Sequence, residues 1–399
     1  MTPRLFLNAC GLVTPFGRTA ATAAGVFAGR DDALRWREGL LGGRAVLVGA
    51  VEAELPDAPA ALGVYASRNN RMMLAALDEI RAPVAQAIDR WGADRVAVVM
   101  GTSTSGIAEA ETALEQFRRT GAWPAEYDYR RQELGSLGEF TARALGLTGP
   151  AYTIGTACAS SAKVFAAARR LIRAGLADAA VVGGADTLCR MTLQGFDSLQ
   201  ALAKSRCNPF SRNRDGITIG EGAAAFLLSA APGPVELLGV GESSDAHHPT
   251  SPDPAGAGAR DAMLAALAEA GLPPSAIGYV NLHGTATALN DAMESRAMAS
   301  VFAAPVPCSS TKPLTGHLLG ACGGCEAGLL WLMLAGDAAS PPLPPHLWDG
   351  QPDPDLPALH LVRPGERLAP GRAVLSNTFG FAGSNVSVLL ARPGERGGA

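Results

Sequence analysis

The chain has 399 residues, 48% of them hydrophobic and 18% charged, with a formal net charge of -4. This is the balance of a globular chain with ample core material, and it excludes a collagen-like or disordered one. The charge gives no reason to expect nucleic acid, and the length suits two domains or one large duplicated unit.

Seven cysteines form no regular framework, so a reducing cytoplasm is expected rather than a disulfide scaffold. The N-terminal stretch "MTPRLFLNACGLVTPFG" has neither a basic region nor a long apolar core, so no signal peptide is expected. The longest apolar run, Ala327 to Ala335, falls well short of the roughly 20 residues a membrane helix needs, so no membrane association is expected.

Along the chain, β-branched runs alternate with Ala/Leu-rich stretches. Helical spacing covers Met72–Trp91, "RVAVVM" (95–100) reads as a strand, and helices are predicted over Gly106–Arg118 and Ser160–Ala174. Strands follow at 179–184 and 223–229, then a helix over Ala259–Ala270 and strands at 277–282 and 385–391. The alternation argues for an α/β fold with mostly buried strands. Asp337–Arg372 holds nine prolines and reads as an extended surface connection with one short strand at Leu359–Val362.

A weak internal echo runs through this order. "VVMGTSTSG" (98–106) is similar to "YVNLHGTAT" (279–287). "YTIGTACASSAKVFAAARRLIRAG" (152–175) parallels "VPCSSTKPLTGHLLGACGGCEAGLLWLMLAG" (306–336). Two related halves are expected, 1–240 and 241–399.

The candidate chemistry starts at "TIGTACASSAK" (153–163). Val164, Phe165, Ala168, Leu171 and Ile172 fall on one helical face, and "AYTI" before the cysteine is strand-like. Cys158 therefore sits at a strand-to-helix turn, near free N–H groups and the positive end of the helix dipole. Such a position can lower a thiol pKa from about 8.5 toward neutrality and can stabilise an oxyanion. From this cysteine alone, a buried filler and a nucleophile both remain open. His283, in "NLHGTATALND", follows a strand. His317 follows Lys312 by five residues and precedes a helix. Active sites of α/β proteins collect in such turns. A cysteine, a histidine and a Lys-xxxx-His set in matching turns of two similar halves favour catalysis. No metal set is expected, because His247 and His248 are adjacent. Cys322-Gly-Gly-Cys325 has no second pair and reads as core filler.

At this point the chain resembles a β-ketoacyl-acyl-carrier-protein synthase, an elongating condensing enzyme of the thiolase superfamily. The resemblance rests on "TACASSAK", "NPFSRNRDGITIGEGAAAFLL", "SSDAHHPTSPDP", "HGTATALNDAMES", "STKPLTGHLLGACGG" and "NTFGFAGSN", in family order. It implies a thiolase-like fold of two related α/β halves in a five-layered αβαβα arrangement. It implies decarboxylative Claisen condensation of a Cys-bound acyl chain with malonyl-carrier protein, in fatty acid or polyene/polyketide synthesis. Cys158 would carry the acyl chain, and His283 and His317 would support decarboxylation, with Lys312 tuning the His317 region. Phe381, with Phe379 and Gly380, would form the gate and oxyanion loop. Thr250, Thr285 and Thr287 would contact the pantetheine arm, and Asp291, Glu294 and Glu326 would be supporting acids. No cofactor is implied, since substrates ride on the phosphopantetheine of an acyl carrier protein. The chain would be a homodimer, or a heterodimer with a related ketosynthase.

Arg68 and Arg71 stand three apart on one helical face, where they suit either an acidic carrier protein or plain solvent. Two positions depart from the family pattern: Ala382 stands where a second Gly is usual, and Pro249 where a large apolar residue is common. Ala382 is expected to restrict opening of the Phe381 loop. A degradative thiolase would need a second catalytic cysteine near the C-terminus, and none follows Cys325. A non-catalytic chain-length partner would usually lack the nucleophile that this chain keeps. No cysteine-peptidase motif is present.

Overall fold

The computed structural model describes residues 3–395. Ten strands repeat one pattern twice. The first unit holds β1 (Phe6–Thr14), β2 (Val96–Gly101), β3 (Ala151–Ile154), β4 (Ala179–Asp186) and β5 (Gly222–Ser229). The second holds β6 (Val235–Ser244), β7 (Ile277–Asn281), β8 (Pro307–Ser309), β9 (Ala373–Gly380) and β10 (Ser384–Ala391). In space the first unit runs β3-β2-β4-β5-β1 and the second runs β8-β7-β9-β10-β6. Strand senses match as well. β2 is parallel to β3 and β4, and β5 is antiparallel to β4 and β1. β7 is parallel to β8 and β9, and β10 is antiparallel to β9 and β6. The same order with the same senses makes the sequence echo a structural duplication. Among the described residues the units join edge to edge at Phe6↔Glu236 and Leu7↔Val235. The repeat changes over between Ser229 and Val235, so residue 240 lies inside the first strand of the second unit.

Seven helices build the layers: α1 (Arg68–Asp78), α2 (Ser136–Leu145), α3 (Ser160–Arg173), α4 (Arg190–Ser198), α5 (Ala257–Ala270), α6 (Ala288–Val301) and α7 (Cys322–Ala335). α1 and α2 cover the first sheet, and α5 and α6 cover the second. Between the sheets, α3 and α7 pack on each other and on strands of both units, which completes the five αβαβα layers. α3 buries Val164, Phe165 and Ala168. Phe165 meets Phe226 of β5 edge to face at 5.3 Å, a pairing worth about 0.5–1.5 kcal/mol beyond burial. α7 fits the middle layer because it is small where it touches. A Cβ on Gly323 would lie 2.7 Å from Ala162 Cβ, and one on Gly328 would lie 2.5 Å from Leu12.

The structure alters two sequence expectations here. The helix expected over Met72–Trp91 is two, α1 and a second over Arg81–Trp91. Pro83 lacks the N–H that would continue α1, so the chain restarts with proline in the new first turn. Asp337–Arg372 is only partly a surface strap, for Leu343 and His346 are buried. His346 Nδ1 accepts the Ser310 N–H at 3.1 Å, and so braces the turn before Lys312. The short strand is His360–Leu361, parallel to β8.

Candidate active site

The duplication explains where the chemistry gathers. In each unit the third strand leads to a central helix: β3 to α3 carries Cys158, and β8 to α7 carries Lys312 and His317. The second strand of the second unit, β7, runs into His283. All four side chains are buried. Cys158 Sγ lies 3.0 Å from His317 Nε2, and the two imidazoles stand edge to face at 5.3 Å. Ala157 takes φ +48°, the tight turn that aims Cys158 ahead of α3. The backbone amides of Phe381 and Cys158 each favour the charged form of the sulfur, and such donors can serve an oxyanion.

The electrostatics differ from the sequence expectation for the thiol. Burial pushes Cys158 up to about 11, and the Lys312 ammonium and the Phe381 amide offset only part of that. A helix start does not make a resting thiolate here, because the sulfur is too dry. Burial and the Lys312 charge both hold His283 and His317 well below the usual imidazole range. Both rings are therefore neutral near pH 7. Lys312 Nζ contacts Glu326 Oε1 at 2.6 Å. Burial opposes the ammonium, but Glu326 outweighs it and holds Lys312 above its usual value.

Two of the supporting acids, Glu294 and Asp291, act through backbone. Glu294 accepts the N–H of His283 at 2.8 Å and of Gly284 at 2.7 Å, and so fixes the His283 turn from α6. Asp291 accepts from Phe210 N–H at 2.7 Å and Ala286 N–H at 3.1 Å. Burial raises Glu294 to about 8 and Asp291 to about 6. Thr287 caps α6, its hydroxyl accepting the Asn290 N–H at 3.3 Å.

A cavity of about 330 Å³ leads to this cluster. Cys158, His283, His317, Thr250, Thr285 and Thr287 all line it. Phe381 and Gly380 line it too, and the Phe381 ring leans on Phe196 of α4 at 5.4 Å. Phe379 is buried with its ring 6.0 Å from that of His283. The Cys158, His283 and His317 ligand atoms lie within 4.8 Å of one another, a spacing open to a soft cation, but the Lys312 charge beside them opposes one.

The arginine pair is placed elsewhere. Arg68 binds Glu221, which is buried in the first unit, at 2.6 Å and donates to the Val51 carbonyl at 2.7 Å. Arg71 donates to the Leu55 and Pro56 carbonyls and pairs with Asp57 at 3.1 Å. Both side chains are half-exposed and also pair within the chain, which ties down the segment before α1.

Sequence reasoning missed two buried acids. Asp186, at the end of β4, accepts from Thr102 Oγ1 at 2.6 Å, from the Ser103, Thr104 and Gly320 amides, and from the Ser103 and Thr104 hydroxyls. It ties the turn after β2 to the chain entering α7, three residues past His317. Glu221 collects Arg68 and the Val51 and Leu188 amides. An acid closing the apolar run "AAVVGGAD" was the available signal for Asp186.

Residues 66–232 match the beta-ketoacyl synthase N-terminal domain, and residues 235–345 match its C-terminal domain. The chain is 32% identical over 326 residues to 3-oxoacyl-[acyl-carrier-protein] synthase 2 of Synechocystis, covering 76% of this chain and 77% of that protein. The chain belongs to the β-ketoacyl synthase family. It is a condensing enzyme of the ketosynthase type with the thiolase fold. Among solved structures it is similar to the ketosynthase ApeO in complex with its chain length factor ApeC from Xenorhabdus doucetiae, with 44% identity, 98% of both chains covered and a TM-score of 0.92. It is also similar to the ishigamide ketosynthase/chain length factor, with 28% identity, 98% and 100% covered and a TM-score of 0.86. Among the described residues, no helix is long and apolar enough to cross a membrane.

Proposed function

We propose that Cys158 of this ketosynthase takes an acyl chain from a carrier-bound thioester and passes it to a malonyl unit. In loading, His317 Nε2 receives the thiol proton while Sγ attacks the thioester carbonyl. The Phe381 and Cys158 amides hold the oxyanion, and the carrier thiol leaves with the proton. In condensation, the malonyl carboxylate leaves as carbon dioxide. Neutral His283, and neutral His317 once its proton has moved to Nε2, donate to the enolate oxygen without protonating its carbon. The enolate carbon attacks the acyl carbonyl, and Cys158 departs as thiolate. The contact that carries this reading is Cys158 Sγ to His317 Nε2 at 3.0 Å, beside a second neutral imidazole. No cofactor is needed in either step, because the phosphopantetheine of an acyl carrier protein brings the substrates.

Retention of Cys158 with both histidines favours the catalytic member of a pair over a non-catalytic chain-length partner. The 44% identity to a ketosynthase complexed with a chain length factor favours a heterodimer in a specialised polyene or polyketide pathway. Intact-protein mass spectrometry after incubation with a panel of acyl-carrier thioesters tests the reading. The expected result is one acyl adduct, absent in Cys158→Ala. An adduct that persists in that variant on another cysteine overturns the assignment.

A further inference from the structure

Cys322 opens α7, and Cys325 follows one turn later. Both thiols are buried, and the condensation chemistry uses neither. Cys322 is no remote filler. Its Sγ lies 3.5 Å from the backbone carbonyl oxygen of Cys158, the residue that carries the nucleophile. The two backbones are close at this point. The Gly323 contact with Ala162 leaves no room for a Cβ, and the Gly324 N–H donates to Ser161 Oγ at 2.8 Å. α3 and α7 therefore touch through their first turns, with Cys158 just before one and Cys322 at the head of the other.

The surroundings of the two sulfurs differ. Burial disfavours the thiolate at both; Lys312 offsets part of that at Cys158, whereas at Cys322 the Glu326 carboxylate adds to burial and outweighs Lys312. Cys158 also has His317 as a proton acceptor, and it lines the cavity by which small molecules arrive. Cys325 Sγ lies 3.7 Å from where a Cβ on Gly222 of β5 would sit, and it lines a small cavity with Cys322 and Glu326. A nucleophilic cysteine at the end of an open cavity meets peroxides, and its sulfenic acid proceeds to irreversible sulfinic acid unless another thiol captures it.

We propose that Cys322 is the resolving thiol of Cys158, which converts peroxide damage at the nucleophile into a reversible Cys158–Cys322 disulfide. In the first step Cys158 sulfur attacks one peroxide oxygen and the O–O bond breaks. Cys158 becomes a sulfenic acid, and the peroxide is reduced to water. In the second step Cys322 sulfur attacks the Cys158 sulfur. The S–O bond breaks, the S–S bond forms, and hydroxide leaves as water with the Cys322 proton. Cys158 Sγ must leave His317 Nε2 and turn toward α7 to do this. A dithiol supplies the two electrons that restore both thiols. While the disulfide stands, acyl loading is blocked but the nucleophile is preserved.

The proposal rests on Cys158 being the acyl nucleophile, so acyl loading is measured before any oxidant is added. Loss of that adduct from wild type would indict the function and not the disulfide. Wild-type protein is then treated with hydrogen peroxide, alkylated and mapped by peptide mass spectrometry without reduction. The expected result is a Cys158–Cys322 linked peptide, with acyl loading lost and then regained on dithiothreitol. Cys322→Ala, a small replacement for a helix start, should load normally before oxidation. After peroxide it should lose loading without recovery and accumulate sulfinic acid at Cys158. Cys325→Ala should keep both the link and the recovery. A linked peptide joining Cys322 to Cys325 instead, or full recovery of Cys322→Ala, overturns the proposal.

Discussion

Cys158 Sγ and His317 Nε2 face each other at 3.0 Å as a neutral pair, with the thiol held up near 11 and the imidazole held down. A thiolate at Cys158 is thus formed on demand, by proton transfer within the pair, rather than stored. Alkylation of Cys158 by iodoacetamide should therefore rise about tenfold per pH unit from about pH 7 to 10, with no plateau near neutrality. Lys312→Ala should lower the rate further at each pH, because the ammonium is what offsets burial. A plateau below about pH 8 would show a stored thiolate and contradict this account.

The two histidines stand in unequal positions. His317 touches the sulfur, whereas His283 meets His317 edge to face and hangs from Glu294 by its backbone. His283→Ala should slow malonyl decarboxylation roughly 10²–10³-fold while leaving acyl loading near wild type. His317→Ala should impair both. Carbon dioxide release and single-turnover loading, measured separately, decide the matter. Equal losses in both steps for His283→Ala would remove the distinction.

Arg68 is bound to an acid that has almost no water. Glu221 is 2% exposed and takes two guanidinium contacts plus the Val51 and Leu188 amides. Arg68→Ala should cost about 1–3 kcal/mol of stability by leaving those carboxylate oxygens short of partners. Arg68→Ala with Glu221→Gln should regain part of that loss. KM values for carrier-bound and free pantetheine thioesters should change alike in Arg68→Ala. A selective rise with the carrier-bound substrate would restore the docking role that the internal pairing argues against.

Glu294 sets a pH dependence of stability. Its folded pKa is raised to about 8 from an unfolded value of 4.5, chiefly by burial. The folded chain therefore holds this proton more tightly than the unfolded one. Its contribution is fully present below about pH 4.5 and is lost as pH rises through about 8. Glu294→Gln keeps an acceptor for the catalytic turn and removes that titration. Denaturant unfolding at pH 5 and pH 8 should show a smaller decline for Glu294→Gln than for wild type. Equal declines would mean that the two backbone amides hold Glu294 ionised throughout.

Much of this was legible in the residues. The strand-to-helix position of Cys158 and the matching placement of Lys312 and His317 could be read from local pattern, because each unit repeats strand, small turn and helix. What stayed hidden is what depends on distance in space. Nothing near Arg68 in sequence announces Glu221, which lies 153 positions away. Asp186 collects partners from β2 and from the entrance to α7, so only the folded layers give it a role. The thiol was misjudged for a related reason. A helix start can be seen in sequence, but the dryness that overrides it comes from packing the head of α3 against α7 and the Gly380 backbone.

Ala382 holds its left-handed turn in this closed arrangement, at φ +62° and ψ +17°. The sequence expectation put the strain in the opening of the loop; the structure puts the strain at rest. Three contacts hold it there. Ala382 N–H donates to the Pro249 carbonyl at 2.8 Å, Asp245 N–H donates to the Gly383 carbonyl at 2.9 Å, and Phe381 leans on Phe196. A left-handed alanine costs about 1 kcal/mol, and an opening that carries residue 382 out of that region releases the cost. Alanine therefore favours an open gate relative to glycine. Ala382→Gly should raise the melting temperature slightly and slow single-turnover loading of long acyl chains by up to about fivefold, the factor that 1 kcal/mol corresponds to. Short chains, which need less movement of Phe381, should load nearly as in wild type. Faster loading across the whole chain-length series would show that residue 382 stays left-handed when the gate opens, and that glycine then helps by flexibility alone.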